Sequence, residues 1–167
     1  MAIDLAEVSE FNDNALQVVE RVVTAAKLQF EWFSSDDIAA EYKGRWGSYQ
    51  LWFAVRKDVQ VMHVSCGLDL HVSEAKFGDL YPLLAKINER LWLGHFDVWH
   101  EEGQPNWRHA VVFREGPVPN DQQISEIVGA AIDDCERYFP AFREVLQCGT
   151  DPDIALAAAI TDTIGEA

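Results

Sequence analysis

His95, Asp97, Arg108 and His109 crowd into the stretch 87–114, interleaved with Trp92, Phe96, Trp99, Trp107 and Phe113. Imidazoles and a carboxylate at this density could hold a metal ion, which needs three or four ligands converging at about 2 Å. They could also serve a protein contact, because Trp, Tyr and Arg dominate interface hot spots. Arg108 stacked on Trp99 across two strands would be a cation–π pair worth about 0.5–1 kcal/mol if exposed. Strand register decides among these uses. Pairing Trp99 with Arg108 puts His95 on one face with Asp97 and Arg108, and His109 on the other. A slip of one residue brings the two histidines together. The sequence leaves both registers open. Hydrogen-bonded sheet histidines are the ordinary reading, so no metal or cofactor is assigned. Trp92, His95, Asp97, Trp99, Arg108 and His109 form the candidate partner-binding surface.

Other chemistry finds little support. The adjacent acids Asp36-Asp37, Glu101-Glu102 and Asp133-Asp134 point apart on a strand, or about 100° apart on a helix, and read as solvated charges. Asp151 and Asp153 lack the Gly and closing Glu of a calcium loop. No GxSxG surrounds Ser65, and Cys66 lies on the apolar side of its strand, where a thiolate is disfavoured. GxGxxG, P-loop and HExxH patterns are absent; His100-Glu101 runs into Gly103-Gln104 with no second His. No catalytic residue is assigned. Triads assemble in space, so a hydrolase or transferase with a noncontiguous site stays as the weakest reading.

These residues sit in a chain of 167 with 49% hydrophobic and 25% charged side chains, an ordinary globular composition. Charge is the outlier. Twenty-eight acidic against 13 basic residues give −15, and the excess lies on both sides of Leu83. Such a field repels phosphate backbones and anionic headgroups, so neither nucleic acid nor membrane is expected as a partner. No apolar run approaches the roughly 20 residues that span a bilayer, and the acidic MAIDLAEVSEF start is unlike a signal peptide. Cys66, Cys135 and Cys148 are odd in number and widely spaced, which suits buried reduced thiols in a cytoplasmic protein.

The hydrophobic pattern predicts the elements that hold the cluster. Leu16, Val19, Val23 and Ala26 mark a helix capped by Asn12 or Asp13, after a flexible N-terminus over 1–12. An aromatic strand at 28–33 meets the turn Ser34-Ser35-Asp36-Asp37. Strands at 38–43, 46–56 and 59–70 follow, the last two joined by a tight turn at Lys57-Asp58. In the third, Met62, Val64, Cys66, Leu68 and Leu70 alternate with His63, Ser65 and Asp69, as in a half-solvated antiparallel strand. Ser73 can cap a helix carrying Phe77, Leu80, Leu84, Ile87 and Leu91, with Pro82 kinking it or delaying its start. Strands at 93–101 and 107–114 flank a loop at 102–106. Gly116-Pro117-Val118-Pro119 breaks the chain. A long helix over 121–147 points Ile124, Ile127, Val128, Ala131, Cys135, Tyr138, Phe142 and Val145 inward, bends at Pro140 and stops at Gly149. A last helix over 151–167, capped by Asp151, shows Leu156, Ile160 and Ile164 and is expected to pack onto its own domain. The sum is one α+β domain over 1–167, ordered α-β-β-β-β-α-β-β-α-α.

With the elements placed, the chain resembles the bacterial YbjN family. The likeness is carried by Gly44-Arg45-Trp46, Cys66-Gly67-Leu68-Asp69-Leu70, the run 87–99, Arg108-His109-Ala110, Asp134-Cys135-Glu136-Arg137 with 138–142, and the closing Asp162-Thr163-Ile164-Gly165-Glu166. The resemblance implies a fold like that of type III secretion chaperones, an antiparallel sheet packed on helices and often homodimeric. It implies a sensory-transduction regulator with no established enzymatic activity, and it carries over no catalytic residue. The expectation is therefore a non-enzymatic cytoplasmic interaction module, a regulator or chaperone-like adaptor, with an unidentified protein partner favouring basic surfaces. A small-ligand or metal-binding sensor using the surroundings of His95, Asp97 and His109 is the alternative.

Overall fold

Residues alternating between apolar and polar from position 29 to 67 pair into an antiparallel meander, because each strand must bury one face and leave the other wet. The computed structural model describes residues 5–114 and 116–164, with side chains from Ala15 to Thr161. After helix α1 (Leu5–Ala25) come strands β1 (Gln29–Ser34), β2 (Asp37–Lys43), β3 (Ser48–Arg56) and β4 (Val61–Gly67). Helix α2 (Phe77–Asn88) leads into β5 (His95–Trp99) and β6 (Gln104–Val112). Helix α3 (Asp121–Arg143) continues as one π-helical segment, Glu144–Cys148, before α4 (Pro152–Ile164). The order is the expected one. The six strands lie as β1-β2-β3-β4-β6-β5, every pair antiparallel.

One sheet face is the core. Ile38, Leu51, Phe53, Met62, Val64, Cys66, Phe96 and Trp107 are buried there with Leu16, Val19 and Val23 of α1, Leu80, Leu83 and Ile87 of α2, and the anticipated α3 stripe. Burial of Ala155, Leu156 and Ala159 seats α4 on its own domain, where Lys86 of α2 reaches Asp153 at 2.7 Å. The opposite face carries Gln50, Trp52, Ala54, His63, Arg108, Ala110, His95 and Asp97, all partly or fully exposed.

Several boundaries differ from expectation, each for a local reason. Helix α1 starts at Leu5, ahead of Asn12 and Asp13, because nothing from Leu5 onward breaks a helix; residues 1–4 lie outside the described residues. The β3–β4 connection spans four residues, 57–60, with Gln60 at φ 52°, so Lys57-Asp58 alone does not close it. Ser73 precedes a single 3₁₀ turn without a side-chain cap. Pro82 sits inside α2. The long helix yields its α geometry at Arg143, while Asn120 and Gln123 form a reciprocal cap at its start and Gly149 closes its end at φ 68°.

Pro140 shows how a local defect is repaired. Lacking an N–H, it leaves the Glu136 carbonyl without its ladder donor. The Trp46 indole N–H fills the gap, donating to the Glu136 oxygen at 3.1 Å, while the Glu136 carboxylate accepts from the Arg45 amide at 2.7 Å. Trp46 stacks on Phe139, and Arg45 and Arg143 both lie over its ring. Gly44 permits the close approach, since a methyl group there would overlap the Glu136 carboxylate and the Tyr49 ring. The β2–β3 turn thus clasps α3 where the helix is weakest.

Candidate functional site

Gly103 decides the geometry of the last hairpin. At φ 63° it donates to the Trp99 carbonyl at 2.6 Å and closes the turn at 100–103, which starts β6 at Gln104. The expected loop at 102–106 is therefore mostly strand. Pro105 is accommodated because it needs no donor and its carbonyl accepts from the Leu68 amide at 3.0 Å. Register follows: His95 pairs with Arg108, Phe96 with Trp107, Asp97 with Asn106 and Trp99 with Gln104.

That register places His95, Asp97 and Arg108 on the outer face and His109 on the helix side, opposite Val64. Histidines 95 and 109 do not share a face. Trp99 stands four residue pairs along from His95–Arg108, opposite Gln104, so the Arg108–Trp99 stack does not form. Arg108 bonds instead to two neighbours: Nη1 donates to Asp97 Oδ2 at 2.9 Å and Nε donates to His63 Nε2 at 3.3 Å. His63, on β4, enters the cluster because β4 lies beside β6. A single sequence could show His63 on the polar side of its strand, but not which strand would lie next to it.

Electrostatics favour the neutral form of His63. Burial lowers the His63 pKa, and the positive Arg108 lowers it further, with His95 and His109 adding to the effect. Neutral His63 therefore has the lone pair that the Arg108 N–H needs. Burial, then His95, lowers His109 as well. The Asp97–Arg108 pair is only partly covered, so its attraction is modest. Among the described residues no group of three or more His, Cys, Asp or Glu is placed to hold a metal ion. Surface grooves of about 460, 330 and 500 Å³ are lined by other residues. In the segment between α2 and β5, three residues ahead of His95, Trp92 is fully exposed (103%).

Two readings of acids and thiols need correction. Asp134 is not a solvated charge: it is half-buried and accepts from the Trp107 indole at 3.1 Å, and burial raises its pKa despite that bond. Asp37 likewise accepts from Ser34 and the Trp52 indole. Cys66 and Cys135 are buried free thiols, with burial pushing Cys135 up, whereas Cys148 is exposed.

A family model named YbjN, described as "Putative bacterial sensory transduction regulator", matches residues 15–144. The chain belongs to the YbjN family. No curated protein and no solved structure matches it. Within the YbjN match, Gly44-Arg45-Trp46 and Glu136 to Pro140 are the two halves of the clasp on α3, and Asp134 and Cys135 tie α3 to Trp107 and to the Cys66 carbonyl. Those motif residues maintain the fold. The closing 162–166 motif lies beyond the match, and its side chains are outside the described residues. No described helix is long and apolar enough to cross a membrane.

Proposed function

We propose that this YbjN protein is a non-enzymatic interaction module, a regulator or chaperone-like adaptor acting in the cytoplasm as a homodimer with a type III secretion chaperone-like fold. Its protein partner is met by the turn and hairpin around Trp92, His95, Asp97, Trp99 and Arg108; His109 faces inward and supports rather than contacts. The observation carrying this reading is Trp92, a full indole left in solvent three residues ahead of His95, the strand partner of an Arg108 guanidinium already oriented by Asp97 and His63. Aromatic and Arg anchors of this kind concentrate binding energy. Affinity capture from the native host at moderate salt tests it, run in parallel with W92A protein. The expected result is a protein recovered by wild type and reduced about tenfold or more by W92A, a loss of roughly 1.4 kcal/mol. Equal recovery by both, or none above a mock control, contradicts the reading.

A small-molecule sensor is the second reading, favoured by the meeting of His63, Asp97 and Arg108 on one face. A thermal-shift screen with metals and metabolites separates the two, because a ligand that prefers the native state raises Tm.

A further inference from the structure

The two edges of the sheet are finished differently. At β5 the Asn88 side chain takes both outward groups of Phe96, accepting from its N–H at 2.7 Å and donating to its carbonyl at 3.0 Å, and Asp97 accepts from the Val98 amide. Such capping is how proteins close an edge to further strands. At β1 no comparable cap exists among the described residues. This edge instead exposes large apolar groups on both faces, Trp32 (38%) toward the helices and Phe33 (61%) outward. Phe33 occupies a register irregularity between Trp32 and Ser34, which turns its ring onto Trp52 at 4.8 Å.

Beside that edge, on the outer face, runs a groove of about 460 Å³. Ala39 gives it a shallow floor, Phe33 and Trp52 an aromatic wall, and Glu31 and Glu41 a charged rim with no lysine or arginine among the lining residues. Lys27 and Lys43 stand at the strand ends, outside the lining. We propose that the β1 edge takes an extended segment of another protein, added as a seventh strand, whose Lys or Arg side chains alternate with apolar ones. Strand geometry sets that pattern, since successive side chains of an added strand fall on opposite faces. Outward positions meet Glu31 and Glu41; inward positions cover Trp32 and Phe30. Backbone pairing supplies affinity and the two carboxylates supply selection. A second copy of this chain fits the edge less well, because its own β1 edge would bring Glu31 and Glu41, not lysines or arginines, to this acidic rim. The proposal rests on the reading that this protein works by binding proteins, but uses a surface distinct from the one around Trp92.

The test uses synthetic peptides on the full chain, read by calorimetry and by Trp fluorescence. An alternating Lys-Val heptapeptide is expected to bind. Binding should fall about tenfold or more with E31K or E41K protein, with a Glu-Val peptide, or when alternate peptide nitrogens are methylated to remove the pairing donors. W92A protein should bind the Lys-Val peptide like wild type, which keeps this outcome independent of the Trp92 surface. Absence of Lys-Val binding, equal binding of the Glu-Val peptide, or indifference to methylation overturns the proposal. So does a dimer that W32D dissociates, which would give the edge to a second copy.

Discussion

Arg108 shows how little of a polar cluster's meaning resides in any one residue. Its guanidinium is held between a carboxylate it attracts and an imidazole that burial, and then the guanidinium's own charge, pushes toward the neutral form. The folded His63 pKa lies below the ordinary value of 6.5, so the unfolded chain takes up its proton first as pH falls. The stability contributed by neutral His63 is complete above about pH 6.5 and declines below it. Denaturant unfolding of wild type and H63Q at pH 7 and pH 5.5 checks this. The variant, whose amide oxygen can still accept from Arg108, should lose less stability between the two pH values; an identical loss would remove His63 from the account. His109 shifts in the same direction and stays in both proteins, so the difference isolates one imidazole. Residue types alone identified His95, Asp97 and Arg108 as a set. They could not add His63 or remove His109, because both facts depend on which strand lies beside β6 and in which register.

The elements themselves were largely readable, since periodicity of 2 and 3.6 survives in a sequence without knowledge of neighbours. Strand β4 and the α3 stripe follow the alternation and the helical spacing closely. The misreadings fall where a local signal was outvoted by a tertiary one. Gly103-Gln104-Pro105-Asn106 has turn composition, yet only Gly103 turns; Pro105 joins a strand because the Leu68 amide uses its carbonyl. Pro140 is the opposite case: α3 passes through it, as the expected helix over 121–147 did, but the Trp46 indole that supplies the missing donor was not legible in the sequence. That repair predicts a coupling. W46F keeps the ring on Phe139 but strips the N–H from a partly buried carbonyl, costing about 1 kcal/mol or more. In a P140A background, where a backbone N–H can return, the same change should cost markedly less. A double-mutant cycle by urea unfolding measures the difference, and strict additivity would show that the indole does not compensate for the proline.

Taken as a whole, the molecule keeps its helices on one face of the sheet and leaves the other face, two exposed tryptophan-bearing regions and a charge of −15 to solvent. Family membership accounts for the first property more than the others, because the motif residues with visible contacts clasp α3 to the sheet. This is why the sequence made the family recognisable while leaving the chemistry open. The dimer is tested by light scattering after size exclusion: a mass near twice 18.9 kDa at micromolar concentration is expected, and a mass near 18.9 kDa contradicts it. The claim that the Trp92 surface docks a protein is tested most directly by oxidative footprinting of the purified protein and of the complex recovered from its host. Indole oxidation at Trp92 is predicted to fall sharply in the complex while the exposed Val112 side of β6 is labelled as before. Undiminished labelling of Trp92 in a complex that demonstrably contains a partner would place the contact elsewhere and contradict the account.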